Sequence, residues 1–290
     1  MIHVASDRFL CDVPARAKPV VEVARGSMVS VHCRHACDRE VGKGPDRAPA
    51  ANPATGPIAV AGARPGEALR IDILDIMPES TGHVSAGRGK GQHAIPIRDG
   101  MAEFSETICI PIAPMIGVLG VAPAQGSWST MDCGAFGGNL DTSDIAPGAT
   151  VYLPVFQPGG LLVLGDVHAV MGDGEIGGQG LEVAAEVALS VDVVAEPICR
   201  AITIVRDGEL MTLGTGETLG EACDDAARAM AGLIVDADIL DEFTAMKFLG
   251  LAGQLRVGQQ CCRTKSARVA VPLERLPALR ARLEACDGVP

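Results

Sequence analysis

The sequence predicts a mainly β protein: a jelly-roll-like antiparallel β-sandwich over residues 1–195, with a smaller α+β part at 196–290. Three observations predict it. The 35 glycines and 19 prolines are spread through 290 residues, cutting the chain into many short elements rather than long helices. Apolar and polar residues alternate over 182–194, where Val183, Ala185, Val187, Leu189, Val191 and Val193 interleave with Glu182, Glu186, Ser190 and Asp192. That is the period of a half-buried strand. Beyond residue 195 the apolar spacing becomes helical. Only 3% of residues are aromatic against 48% hydrophobic, so aliphatic side chains must fill the core.

Taken in order, residues 20–33 read as extended, with a turn at Gly26. Residues 38–53 are charged and rich in Pro and Ala, which predicts a surface loop. A strand then precedes the Arg64-Pro65-Gly66 turn, and residues 69–73 form a half-buried strand with Arg70 and Asp72 on its outer face. Residues 78–92, with His83, Arg88 and Lys90, read as a mobile, Gly-rich cationic loop. Residues 115–124 supply an apolar wall without titratable groups. In the C-terminal third, residues 201–205 read as a short strand. Thr218 and Glu221 have the spacing of a capping box opening a helix to about Ile234. A second helix is expected after Asp238, with Leu240, Phe243, Met246 and Leu249 on one face. Strands at 255–262 and 267–271 and a helix over 273–285 complete the chain.

A net charge of −12 argues against nucleic acid, whose phosphates need clustered Lys and Arg. The apolar run at 114–124 is shorter than the ~20 residues a bilayer-spanning helix needs, so no membrane partner is expected. The first residues show no basic start followed by an apolar core, which predicts a cytoplasmic protein. The 10 cysteines fit neither a zinc ribbon nor a disulfide framework, and reduced thiols are expected.

Chemistry-bearing residues concentrate at 157–180, QPGGLLVLGDVHAVMGDGEIGGQG. Asp166 and His168, two apart, project to one face of a strand, and Gly165 leaves the backbone open to a close neighbour. Asp173 and Glu175 follow. The alternative is ordinary turn chemistry, with residues 172–174 closing a hairpin. Upstream, Asn139 and Asp141 share the same i, i+2 relation after two glycines; an Asx-type turn explains them equally well.

Four segments in this order resemble the acetamidase/formamidase family: 52–76 (NPATGPIAVAGARPGEALRIDILDI), 115–126 (MIGVLGVAPAQG), 137–142 (GGNLDT) and 151–175 (VYLPVFQPGGLLVLGDVHAVMGDGE). The similarity continues through 180–194 and, more faintly, through LGLAGQLRVGQQC. The resemblance implies hydrolysis of a short linear amide to a carboxylate and ammonia, a β-sandwich-like main domain and a homo-oligomer, expected to be a dimer or trimer. It carries the site onto Gly138, Asn139 and Asp141, onto Asp166 and His168, onto Asp173 and Glu175, and onto Glu182. Two departures stand out. His32 and His35 occupy positions where the family has Glu and Asp, and the segment after residue 76 lacks the family's Trp-containing stretch.

Amide hydrolysis needs a nucleophile, oxyanion stabilisation and protonation of departing ammonia. A divalent metal, Zn²⁺ by the mixed donor set, is expected on Asp166, His168, His35 and Glu182. Glu175 is the expected general base and acid, with Asp173 beside it as a second catalytic carboxylate. Gly138, Asn139 and Asp141 are the expected amide contacts. Alternatives are Cys133 as a nucleophile, a structural zinc at His32, Cys33, His35 and Cys37, a different amide substrate on the same scaffold, and a non-enzymatic metal- or small-molecule-binding protein.

Overall fold

A computed structural model describes residues 1–36, 52–85, 92–196 and 200–286. Its largest unit is a nine-stranded sheet. Ala185–Val194 lies near one end of it, antiparallel to Ser27–Cys33 on one side and Ala68–Pro78 on the other. The alternation read in the sequence is obeyed: Val187, Leu189, Val191 and Val193 are buried, and Glu186, Ser190 and Asp192 are half-buried. A register slip between Ala188 and Leu189 is the only irregularity in that pairing with Ala68–Pro78.

A second, seven-stranded sheet packs against the first. Its central strand, Leu162–His168, is buried at all seven positions between Met115–Gly120 and Ala54–Val60. Val31, Ile71 and Leu189 from the large sheet and Ile58, Ile116 and Leu164 from the second belong to one apolar core. Each such side chain stabilises the fold by about 1.5–3 kcal/mol on burial. The mainly β sandwich predicted from alternation is therefore present. It is not wholly antiparallel, because Ile2–Val4 runs parallel to Ser27–Cys33 and Val21–Val23 parallel to Ala54–Val60.

The segment expected to be a mobile loop at 78–92 is partly ordered sheet. Thr81–Ser85 pairs with Gln92–Arg98, which pairs in turn with Met101–Glu103, and that strand pairs with Cys109–Pro111. Its apolar positions are too few to show alternation, so backbone pairing rather than side-chain pattern makes it a strand. Arg88 and Lys90, and most of the predicted loop at 38–53, lie outside the described residues.

The large sheet does not stop at residue 195. Thr150–Pro154 pairs with Thr203–Arg206, and the sheet continues through Glu209–Gly216, Lys265–Pro272 and Gln254–Val257. Helix α1 (Leu219–Asp236) covers this extension. Met230, Leu233 and Ile234 of α1 share a second core with Leu210, Val269, Val271 and Leu279. The capping box is formed: Glu221 N donates to Thr218 Oγ1 at 3.2 Å and Thr218 N to Glu221 Oε2 at 2.9 Å. Helix α2 (Glu242–Ala252) starts later than expected, because Asp241 rather than Asp238 caps it through Thr244 N. Helix α3 is Pro277–Cys286, preceded by a 3₁₀ turn at Leu273–Arg275. Among the described residues no helix is long and apolar enough to cross a membrane.

Candidate active site

The site lies where the interior strand Leu162–His168 meets its neighbours. Asp166 and His168 point the same way, as their spacing predicts, with Asp166 Oδ1 3.6 Å from His168 Nε2. From across the strand, Glu182 forms an antiparallel bridge with His168 and places Oε2 3.3 Å from the same nitrogen. Neither oxygen has hydrogen-bond geometry to the imidazole, and Asp141 Oδ1 is likewise buried without a hydrogen-bond partner. Three buried carboxylates therefore each present an unsatisfied oxygen.

The other edge is a chain of amides. Asn52 Nδ2 donates to both Asn139 Oδ1 and Asp166 Oδ2 at 2.7 Å. Asn139 Nδ2 donates to Asp141 Oδ2 at 2.7 Å. Asn139 and Asp141 are thus joined as an i, i+2 pair, and Asn52 ties them to Asp166.

Room for this convergence comes from missing side chains. A Cβ on Gly117 would sit 2.5 Å from Asp141 Oδ1 and 2.7 Å from Asp166 O, and one on Gly180 would sit 2.6 Å from the His168 ring. Asn52, Asp141, Asp166 and Glu175 all hold positive φ, between 41° and 54°. This left-handed region costs an L-residue about 1–2 kcal/mol, less for Asn and Asp. Glu175 has no short side chain to ease it, so its surroundings must impose the conformation.

Burial and neighbouring charge together explain the titration. Burial first, then the Glu182 carboxylate, pushes Asp166 up to about 6. Burial, followed by Asp166 and Glu175, holds Asp141 well above the usual carboxylate range. Glu175 is raised chiefly by burial. Burial pulls His168 down, but Glu182 and Asp166 together outweigh it and keep the imidazole protonated well above its ordinary range.

Glu175 reaches the cluster from the 172–175 turn, which does not close a hairpin. Gly174 N donates to Gly258 O at 2.8 Å and Gly174 bridges Gln259, so the turn docks onto the segment leading to Cys261 and Cys262. Cys261 Sγ donates to Glu175 Oε2 at 2.9 Å. Two donor groups converge on His168: one with Asp141 and Asp166, the other with Glu175 and Glu182.

Three residues expected at the site are placed otherwise. Asp173, expected to be catalytic, turns away: its carboxylate accepts from Arg268 Nη2 at 2.9 Å and Ser143 Oγ at 2.7 Å. Arg268 is buried and needs that charge, which it also receives from Asp144. His35, expected as a metal ligand, lies in neither donor group around His168; its ring stacks on His83 with centroids 4.7 Å apart. Gly138, expected to contact substrate, pairs with Leu119 inside the sheet, and its backbone positions Asn139.

The alternative zinc cluster divides between faces. His32 Nδ1 meets Ser6 Oγ, whereas Cys33 is buried in the core, and Cys37 lies outside the described residues. Burial pushes the Cys133 thiol up to about 12, which removes it as a ready nucleophile.

Asn52, Cys261 and Cys262 were not legible as site residues. Asn52 opens a recognised segment but has no polar partner near it in sequence. Cys261 and Cys262 are adjacent, which was a usable signal, but nothing in the spacing ties them to Glu175.

Several known proteins resemble this chain. Residues 121–204 match the Acetamidase/Formamidase family. An acetamidase from Bacillus halodurans is 34% identical, with a TM-score of 0.89, 95% of this chain covered and 99% of that one. A predicted acetamidase/formamidase from Thermoanaerobacter tengcongensis is 33% identical, with a TM-score of 0.88 and coverages of 96% and 97%. The acetamidase of Mycolicibacterium smegmatis is 26% identical, with 65% of each chain covered. A Schizosaccharomyces pombe relative is 38% identical over 63 residues, 21% of this chain and 15% of its own length. The chain thus spans less than two thirds of these two curated relatives, while it covers nearly all of the two solved structures. It belongs to the acetamidase/formamidase family.

Proposed function

We propose that this chain hydrolyses a short linear amide of the formamide or acetamide kind to a carboxylate and ammonia. One observation carries the reading: Asp141, Asp166, Glu175 and Glu182 converge, buried, on the single imidazole of His168. Packing that much like charge into a core is costly without a compensating cation, which favours a working site over a structural one.

The same residues fit a divalent ion. Asp141 Oδ1, Asp166 Oδ1 and Glu182 Oε2 are buried acceptors without hydrogen-bond donors, and one imidazole among carboxylates is a borderline donor set suited to zinc. Asp166, His168, Glu182 and Asp141 would hold it. The ion would supply Lewis-acid chemistry, polarising the amide carbonyl.

Everything else falls to the chain's own groups. Glu175, raised by burial, takes a proton from the attacking water and delivers it to the departing nitrogen, the role a carboxyl titrating nearer neutrality performs best. The Asn52–Asn139 pair locks Asp166 and Asp141 in place, leaving their remaining oxygens free to act. The buried walls from Met115–Gly120 and Leu162–His168 exclude bulk water, which strengthens each of these interactions.

Ammonia release from formamide, acetamide, urea and carboxylate-bearing amides, with metal analysis of the purified protein, tests the reading. Turnover of the neutral one- and two-carbon amides, lost in His168→Ala, Asp166→Asn and Glu175→Gln while the fold survives, is the expected result. Undiminished turnover in all three would remove the proposed site.

A further inference from the structure

Beside the acid–imidazole cluster lie two thiols that the hydrolytic reading does not use. Cys261 and Cys262 are neighbours in sequence and in space, with sulfurs 3.8 Å apart. Glu175 Oε2 is 2.9 Å from Cys261 Sγ, and the three groups offer ligand atoms within 4.8 Å of one another. Cys261 is exposed and Cys262 partly so, unlike the buried Cys33 and Cys133. Ions in solution therefore reach these two thiols.

We propose that Cys261, Cys262 and Glu175 form a second metal site, selective for a thiophilic divalent ion, at the edge of the hydrolytic cluster. Two sulfurs each 2.3 Å from a tetrahedral ion lie about 3.8 Å apart, the separation found here. A sulfur and a carboxylate oxygen on such an ion lie about 3.5 Å apart, so the Glu175 carboxylate has to withdraw slightly from its hydrogen bond to Cys261. The bound ion replaces the thiol proton of that bond. Each thiol loses its proton to solvent as it ligates, and Glu175 binds as the carboxylate. Three protein donors leave one position open.

Two sulfurs set this site apart from the oxygen- and nitrogen-only set around His168. Soft thiolates favour Cd²⁺ and Zn²⁺ over Mg²⁺, Ca²⁺ or Mn²⁺. Gln259 stiffens the pair: its Oε1 accepts from Cys262 N at 3.0 Å and its Nε2 donates to Thr264 O at 2.6 Å. Occupancy also has a consequence that rests on the proposed function. An ion on Glu175 takes that carboxylate out of proton transfer, so a thiophilic ion in excess inhibits ammonia release.

Titration of the reduced, metal-stripped 290-residue chain with Cd²⁺ tests the site through the sulfur-to-cadmium charge-transfer band in the ultraviolet. The expected result is a saturable band that disappears in Cys261→Ser/Cys262→Ser and needs about tenfold or more Cd²⁺ in Glu175→Gln, the scale on which single ligand-sphere changes act. An equal band in the double serine variant, or none in the unsubstituted protein, overturns the site. Ammonia release by the protein as purified, and by its double serine variant, with Cd²⁺ added separates this inference from the function on which its consequence rests. Loss of ammonia release that tracks the band, and is relieved in the double variant, supports both. A band that appears and vanishes as expected with activity untouched upholds the metal site and overturns the role given to Glu175.

Discussion

His168 Nε2 lies 3.3 Å from Glu182 Oε2, and the backbones of the same two residues form an antiparallel bridge. The imidazole and its carboxylate are thus fixed by main-chain pairing rather than by a flexible loop. That rigidity bears on every change at the site, because neither partner can swing aside to relieve a lost contact.

Glu175→Gln keeps the shape of the side chain and removes its ability to take up and release a proton. We expect kcat for ammonia release to fall by about 10²–10⁴-fold, the usual contribution of a positioned acid or base. KM should stay nearly constant. Steady-state kinetics with acetamide and formamide measure both, and a change confined to KM would contradict the assigned role.

Gly117→Ala places a methyl group 2.5 Å from Asp141 Oδ1 and 2.7 Å from Asp166 O. Neighbouring backbone cannot yield without moving both acids. A loss of about 1–3 kcal/mol is expected from such overpacking, together with lower activity. Denaturant unfolding and ammonia release report the two, and wild-type values in both would show that the cradle is looser than described.

Asn52→Ala removes the donor shared by Asn139 Oδ1 and Asp166 Oδ2. Two buried acceptors lose a partner, costing about 1–3 kcal/mol each at most. Asn52→Asp should be worse, because it adds a carboxylate to a cluster already crowded with them. Thermal unfolding of both variants decides this, and an aspartate milder than the alanine would refute the charge argument.

Acidity should act on the metal-stripped protein in a defined direction. Asp166 titrates from 3.8 when unfolded to about 6 when folded, so the folded state holds that proton more tightly. The raised pKa costs nothing below pH 3.8, and stability falls as pH rises from there through 6. His168, raised above 6.5 by its carboxylates, stabilises the fold below pH 6.5 and loses that contribution as pH climbs through its folded value. Both trends point the same way, so the midpoint of thermal unfolding should drop from pH 4 toward 8. Added Zn²⁺ should raise it most at the high end, where the carboxylates are free to bind. A metal-induced gain that shrinks with rising pH would contradict this.

Thr218→Ala removes the side-chain half of the capping box, far from the site. About 1 kcal/mol of stability should be lost with kcat unchanged, which serves as a control on the variants above.

The outer form of this protein was written locally. Alternation over Ala185–Val194, the i, i+2 pairs Asp166/His168 and Asn139/Asp141, and the Thr218/Glu221 cap each depend on neighbours a few residues away, and each appears in the structure. What depended on remote partners was not legible. Asp173 looked as catalytic as Glu175 until Arg268, distant in sequence, claimed its carboxylate. Asn52 gained its role only when Asn139 and Asp166 arrived beside it, and Cys261 only when the 172–175 turn docked onto Gly258 and Gln259. Periodicity and capping are short-range effects of backbone geometry, so sequence alone decides them. Which of several equivalent acids is left unneutralised in a buried cluster is settled by the charges that folding brings near it, and only the tertiary structure decides that.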